Sequence, residues 1–356
     1  MDALNAQVGW TEAQWNRVRE EVLQAWQRVR VAGSFLPIYG PLPPSTQVVP
    51  SEVLKPDGTV DDRATAALIE IALPVTLSRQ QIWEDDLSSA LLQFRRRATQ
   101  LGQLEDWFIF NGTYPSIASI DLSAKAQQFA KVSGLPDYRP ELAHLNASAS
   151  SQRARISGTP KSIKGLSHDD QVEGMRQQNP GSLGLIGGPE VKQLQNAAKA
   201  RPALQPQPEP DNNTLLQAII INAINSLEDN GYVAPYVCVF GRKPFQAAFT
   251  PINNSTVLPR DRIEPLIGRE LLHASGIDIL PYEPGRYQNL NTEEWPGRGV
   301  LLSMANEPID LAFAAEATVE FRQVEVDGKY VFSVFERFAL RIKDAQAIVP
   351  LMFEFL

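Results

Sequence analysis

Residues 65–112 read TAALIEIALPVTLSRQQIWEDDLSSALLQFRRRATQLGQLEDWFIFNG, and the period of their apolar residues changes partway. Ile69, Ile71, Leu73, Val75 and Leu77 share one parity, so residues 65–77 read as a strand or a two-stranded loop. From Ser78 the spacing becomes helical: Leu91, Phe94, Ala98, Leu101, Leu104 and Phe108 form one face of a long helix predicted over 78–109. Ser78 supplies its cap. Asp57-Gly58 marks a turn before the strand. Arg95-Arg96-Arg97 lie around one turn of the helix, among acidic neighbours Glu84, Asp85, Asp86, Glu105 and Asp106. That mixture predicts salt bridges or a solvated face, not a nucleic-acid patch.

Working outward toward the N-terminus, residues 34–60 carry Gly40-Pro41-Leu42-Pro43-Pro44 and Val48-Val49-Pro50, which exclude a regular helix. They read as an arm that leaves the body and lies on something. Before it, Trp15, Val18, Val22, Trp26 and Val29 form one stripe of a helix predicted over 10–31. Thr11 caps it and Gln14 completes a capping box. Its tryptophan face is open to two readings at this point: packing on its own domain, or a groove for a partner.

Toward the C-terminus, residues 113–212 are rich in Ala, Ser, Gln, Gly and Pro and weakly periodic, as expected of an insertion and linker. Leu215, Ile219, Ala223, Ile224 and Leu227 predict a helix stopped at Asn230-Gly231. Tyr236–Phe240 reads as a buried strand and 259–273 as a helix. Val300–Met304, Ile309–Phe313, Thr318–Val324 and Tyr330–Ile342 complete a β-rich end with a hairpin turn at Asp327-Gly328.

Across 356 residues, 33 basic and 41 acidic side chains leave a net charge of −8, which argues against a surface built to neutralise phosphates. A single cysteine, Cys238, excludes an intramolecular disulfide and reads as a buried thiol. No apolar run is long enough for a membrane span, and the first residues lack the pattern of a signal peptide. A cytoplasmic location is therefore expected.

The search for chemistry returns little. Three histidines, His144, His168 and His273, show no metal-ligand spacing, and no nucleophile elbow is present. Gly184-Leu185-Ile186-Gly187-Gly188 lacks the lysine of a phosphate loop. Glu105-Asp106 is a candidate carboxylate pair, but adjacent helical residues point in different directions. A structural or binding role, not an enzyme, is the expectation. A soluble enzyme using Glu70 or Glu105 is the reading from another class.

The order of segments resembles one family. N-terminal helix, extended arm, strand-rich loop, spine helix, variable middle, helix–strand and β-rich end is the order of encapsulins, the linocin-like shell proteins of the HK97-type capsid fold. Ile38-Tyr39-Gly40-Pro41-Leu42 resembles the arm motif, and Leu68–Ile71 running to Thr76–Arg79 resembles the loop leading into the spine. Glu105-Asp106 with Ile109–Gly112 is similar to the helix-end signature. Asn230-Gly231 with Pro235-Tyr236 is similar to the start of the apical domain, and Leu340–Lys343 with Ala347-Ile348 to the closing strand. The chain departs from the family at Ser34 and Pro43, where relatives carry arginine and glycine, and over 113–212.

The resemblance implies an α+β HK97-type fold. Its parts would be an N-terminal helix and arm (1–49), extended loop (50–77), spine helix (78–112), insertion (113–212), a mainly apical part (213–298) and the β-rich end of the peripheral domain (299–356). It implies an icosahedral homo-oligomeric shell that encloses a cargo protein, such as a ferritin-like protein or peroxidase, carrying a C-terminal targeting peptide. The implied cargo groove comprises Val22, Trp26, Val29, Phe35 and Ile38, with Phe335 and Leu340 opposite. Asn253, Asn254 and Ser255 would line a neutral pore for small solutes. Some relatives hold a flavin beside a tryptophan early in the spine; Trp83 is offset from that position, so no cofactor is expected. The other reading within this fold is a phage or prophage capsid protein.

Overall fold

A computed structural model describes residues 7–54, 58–111, 155–157, 212–251, 256–278 and 297–353. Helix α1 (Glu12–Gln27) begins at Thr11, whose side chain accepts from Gln14 N–H while Gln14 returns the bond, closing the expected capping box. Trp15, Val18, Val22 and Trp26 are buried along one stripe. The helix stops short of residue 31: Val29 N–H turns to Trp26 O, and the N–H groups of Val31 and Ala32 bond the Asp106 carboxylate instead of helix carbonyls.

The arm and loop supply strands β1 (Ile38–Tyr39), β2 (Val48–Pro50), β3 (Val53–Leu54), β4 (Val60–Asp61) and β5 (Thr65–Ala67). β2 pairs with β5, and β3 with β4, so this segment is a long hairpin. The arm does not leave the body. Leu42 N–H donates to Phe313 O, and Arg337 donates to the carbonyls of Pro44 and Thr46. Alanines make this docking close: Ala312, Ala314 and Ala339 form a flat patch under Leu42, Val49 and Leu68.

Strand β6 (Ile69–Leu77) follows, with Ile71, Leu73, Val75 and Leu77 in the core as the alternation predicts. The long helix differs from expectation: it is broken. Ser78 and Gln81 cap a single turn, α2 (Arg79–Ile82), and helix α3 runs Ser88–Asn111. The physical cause is a second start signal. Glu84 accepts from Ser89 N–H and Oγ, Asp86 accepts from Ser88 N–H, and buried Leu87 turns inward at φ 54°. Of the three arginines, Arg95 pairs with Glu21 of α1 at 2.7 Å rather than with its helix neighbours.

The strand β7 (Arg155–Ser157) is the one described part of the 113–211 stretch and pairs with β6. Helix α4 (Asn212–Asp229) then ends before Gly231, at φ 85°. Strand β8 (Tyr236–Phe240), helices α5 (Arg242–Ala248) and α6 (Pro259–Ile267), β9 (Leu272–His273) and β10 (Gly297–Ser303) follow. α6 stops earlier than predicted because Gly268 takes a left-handed cap at φ 70°, so His273 lies in a strand, its ring 4.9 Å from Phe245. β11 (Ile309–Val324) is one long strand where two were expected, with bulges between Phe313 and Thr318. β12 (Tyr330–Ile342) and β13 (Ile348–Phe353) close the chain.

Besides the two-stranded pairs β2-β5 and β3-β4, two larger sheets result, in the orders β1-β11-β12-β6-β7 and β13-β10-β8-β9. The first buries one face against α1 and α3. The second is buried on both faces, which explains the unbroken apolar run of β8. Val237 and Val239 face the first core, while Tyr236, Cys238 and Phe240 face a second core under α4 and α6. Cys238 is a buried thiol, as expected. Tyr232 Oη donates to Asp344, tying the end of α4 to the turn after β12.

The crossing of α1 and α3 is tight at Gly102, where an added Cβ would lie 2.8 Å from Val29 Cγ2 and 3.1 Å from Trp26 O. Gly102→Leu is expected to cost about 1–3 kcal/mol by overpacking, read as a lower denaturation midpoint. An unchanged midpoint would show that this crossing is loose.

Candidate functional site

The point where α1, α3 and β12 meet contains most of the buried charge facing the first core. Four residues after Trp26, Arg30 lays its guanidinium on the indole, 3.8 Å from the ring centroid, and 5.0 Å from Phe313. Its Nη2 is 2.6 Å from Glu105 Oε1. Asp106, the next residue, accepts from Val31 and Ala32 N–H at 2.8 and 2.9 Å. The carboxylate pair therefore acts as a clamp. Glu105 takes the side chain, and Asp106 takes the backbone, of the segment leaving α1. Their different directions, which seemed to disqualify them, are what lets them hold two partners.

Sequence reasoning missed Arg30 and Glu336. Glu336 lies on β12 at the parity of Phe332, Val334, Phe338 and Leu340, all in the first core. A charge at a core-facing position of an alternating strand was the available signal. Burial pushes the Glu105 and Glu336 carboxyls well above the ordinary carboxylate range; Arg30 opposes the rise at both, while Asp106 adds to it at Glu105 and Glu105 adds to it at Glu336. Burial also pushes Asp106 up to about 7, against its two backbone N–H bonds. The Trp26 indole N–H lowers both glutamates somewhat while completing a well-formed hydrogen bond to neither.

The implied groove residues do not all share one surface. Val22 and Trp26 are wholly buried and Leu340 is buried, so in this conformation they serve the core. Val29 and Phe35 are half-buried, and Ile38 is 51% exposed. Ile38 pairs with Leu311 at the sheet edge, on the helix-facing side. Phe335 is an odd number of residues from Leu340 and lies on the opposite face, with Arg322 over its ring at 6.0 Å. Tyr39, also on that outer face, lies under Arg341, which is held by Asp310 at 2.6 Å. Asn253, Asn254 and Ser255 lie outside the described residues. Trp83 is 65% exposed, with Arg79 4.3 Å from its ring.

Among the described residues, no group of three or more His, Cys, Asp or Glu side chains is placed to hold a metal. Glu70, the alternative catalytic carboxylate, is engaged by Arg337 at 3.6 Å on the outer face. No helix among the described residues is long and apolar enough to cross a membrane.

No family model matches the chain, and no curated protein is significantly similar to it. Several solved structures resemble it in shape. A virus-like particle from Pyrococcus furiosus is 11% identical over 96% of this chain and all of its own, at a TM-score of 0.47. The capsid of an empty GTA particle is 12% identical, covering 91% of this chain and 90% of its own, at 0.46. A holo encapsulin complex from Synechococcus elongatus is 11% identical, covering 92% and 88%, at 0.38. Likenesses of this size establish nothing about function. The α+β class and the order of helix, arm, hairpin loop, long helix and closing strands stand on the chain's own elements.

Proposed function

We propose that this chain is the protomer of a self-assembling icosahedral shell of the encapsulin kind, without catalytic activity of its own. One observation carries the reading. The segments that project from the two cores bear apolar side chains that a single subunit leaves in water: Ile38 and Tyr39 on the arm, Val48, Leu54 and Val60 on the hairpin loop, and Val324 and Val326 at the β11–β12 tip. A monomer gains nothing from such a distribution, whereas neighbouring copies can cover all three places and the short strand edges beside them.

In this reading the shell encloses a cargo protein in the cytoplasm. The cargo's C-terminal peptide would lie along the exposed edge formed by Val29, Phe35 and Ile38, while Val22, Trp26 and Leu340 support that edge from beneath. Asn253, Asn254 and Ser255 would give the pore a neutral rim that admits small solutes. Size-exclusion chromatography with negative-stain microscopy tests the assembly: closed particles are expected, and a monomer or small oligomer overturns the reading. The contents separate the two kinds of shell. Co-purifying protein supports the encapsulin reading, and packaged nucleic acid would replace it with a phage-type capsid.

A further inference from the structure

The shell reading leaves one buried group without a role. Glu336 is completely buried, and neither of its carboxyl oxygens has a hydrogen-bond partner. It stands opposite the β11 bulge: Phe335 pairs with Thr318 and Arg337 with Ala315, so Glu316 and Ala317 together oppose it. On the other side its strand partner is Ile71, which is fully buried. The charged groups that act on it are Arg30, from the segment after α1, and Glu105 and Asp106, from α3; α1 adds the Trp26 indole. The flanking strands contribute no counter-charge on this face. Glu70 of β6 engages Arg337, and Asp310 of β11 engages Arg341 and Lys343, both on the outer face, while Glu316 in the bulge is exposed.

Arg30 is turned toward Glu105. It bonds Glu105 at 2.6 Å and stacks on Trp26, while its Nε and both Glu336 oxygens are left without a hydrogen-bond partner, so Arg30 does not bond Glu336. Two buried carboxylates facing one committed cation do not both ionise. Glu105 is the one bonded to Arg30, so the proton resides on Glu336.

We propose that Glu336 is a proton-held latch: as a neutral acid it lets α1 and the Arg30 turn close on β12, and its ionisation loosens that joint. No covalent step is involved; the proton passes to base in the solvent. The two glutamates titrate as a coupled pair, and the latch is a property of that pair as seated on β12. The sign follows from burial. A carboxyl that binds its proton more tightly folded than unfolded contributes stability in full below the ordinary value of 4.5 and loses it as the pH rises toward the folded value. The joint is thus tightest in acid and weakens as the pH rises. This device operates within one subunit and does not depend on the shell reading.

The test compares the full chain with Glu336→Gln, which keeps the shape of the neutral acid and cannot ionise. As the pH rises above the ordinary carboxylate range the wild type is expected to lose up to tenfold in folding equilibrium per pH unit from this group, and Glu336→Gln to lose less. Hydrogen exchange over Glu12–Gln27, corrected for intrinsic rates, is expected to lose protection with rising pH in the wild type only. Equal pH slopes in the two proteins would overturn the proposal. Should the variant not fold, infrared difference spectra of the wild type decide. A buried protonated-carboxyl band that disappears as α1 loosens supports the latch, and no such band at neutral pH overturns it.

Discussion

Replacing Arg30 with methionine is expected to cost about 3–5 kcal/mol at neutral pH, a larger loss than most single substitutions produce. Methionine keeps much of the volume and the contact with Trp26 but removes the cation. Glu105, with no exposed surface, then has no counter-charge, and Glu336 and Asp106 stand beside it as further acids. A buried carboxylate in that position neutralises by taking a proton. The loss should therefore shrink as the pH falls and Glu105 is protonated. Denaturant titrations followed by tryptophan fluorescence at acidic and neutral pH check both parts. Arg95→Met is the control: it removes an ion pair whose members are 48% and 30% exposed, and is expected to cost less than about 1 kcal/mol. A similar midpoint for the two variants at neutral pH would show that the buried cation is not needed.

Phe332→Ala is expected to be comparably damaging, at about 3–5 kcal/mol. Phe332 is wholly buried and joins four elements through its ring. Trp10 stacks on it at 5.2 Å, Phe94 of α3 meets it edge-on at 5.4 Å, Phe321 of β11 lies at 5.3 Å and Trp15 of α1 at 6.1 Å. Alanine would leave a cavity among rings fixed from several directions. Trp10 cannot follow inward freely, because its indole N–H donates to Ile82 O at 2.9 Å. Phe335→Ala, three residues along the same strand but on the outer face and half-buried, should cost much less. Equal losses would mean that the aromatic cluster relaxes to fill the gap.

Much of the fold was legible because its signals are local. The Thr11–Gln14 box, the parity of Ile71 to Leu77, the run of β8 and the Asp327-Gly328 turn act through neighbours in the chain. The break between α2 and α3 was also written locally, in Glu84, Asp86 and the two serines, but the apolar stripe continued across it and masked it. The β11 bulges were not legible, since the extra residues are defined only against β12. The arm was read correctly as extended and wrongly as detached. Proline content excludes a helix, but it says nothing about the alanine patch and the Arg337 and Arg341 side chains, some three hundred residues away, that hold the arm down.

The site shows the same division. Composition and spacing excluded metal-ligand and nucleophile motifs and marked Glu105-Asp106 as a pair worth asking about. Periodicity placed Val22 and Trp26 on an apolar stripe, but could not distinguish a core from a groove, since both need the same pattern. Only the tertiary structure turned that stripe inward, put Phe335 and Leu340 on opposite faces of one strand, and brought Arg30, Glu105 and Glu336 together from three distant segments. The sequence alone determined the 65–112 switch from strand to spine, because hydrophobic period and capping are set by neighbouring residues. Where the spine's acidic end would find its cation was decided by the packing of α1 across α3 and β12, because burial and charge pairing are properties of contacts between distant segments, which no local pattern encodes.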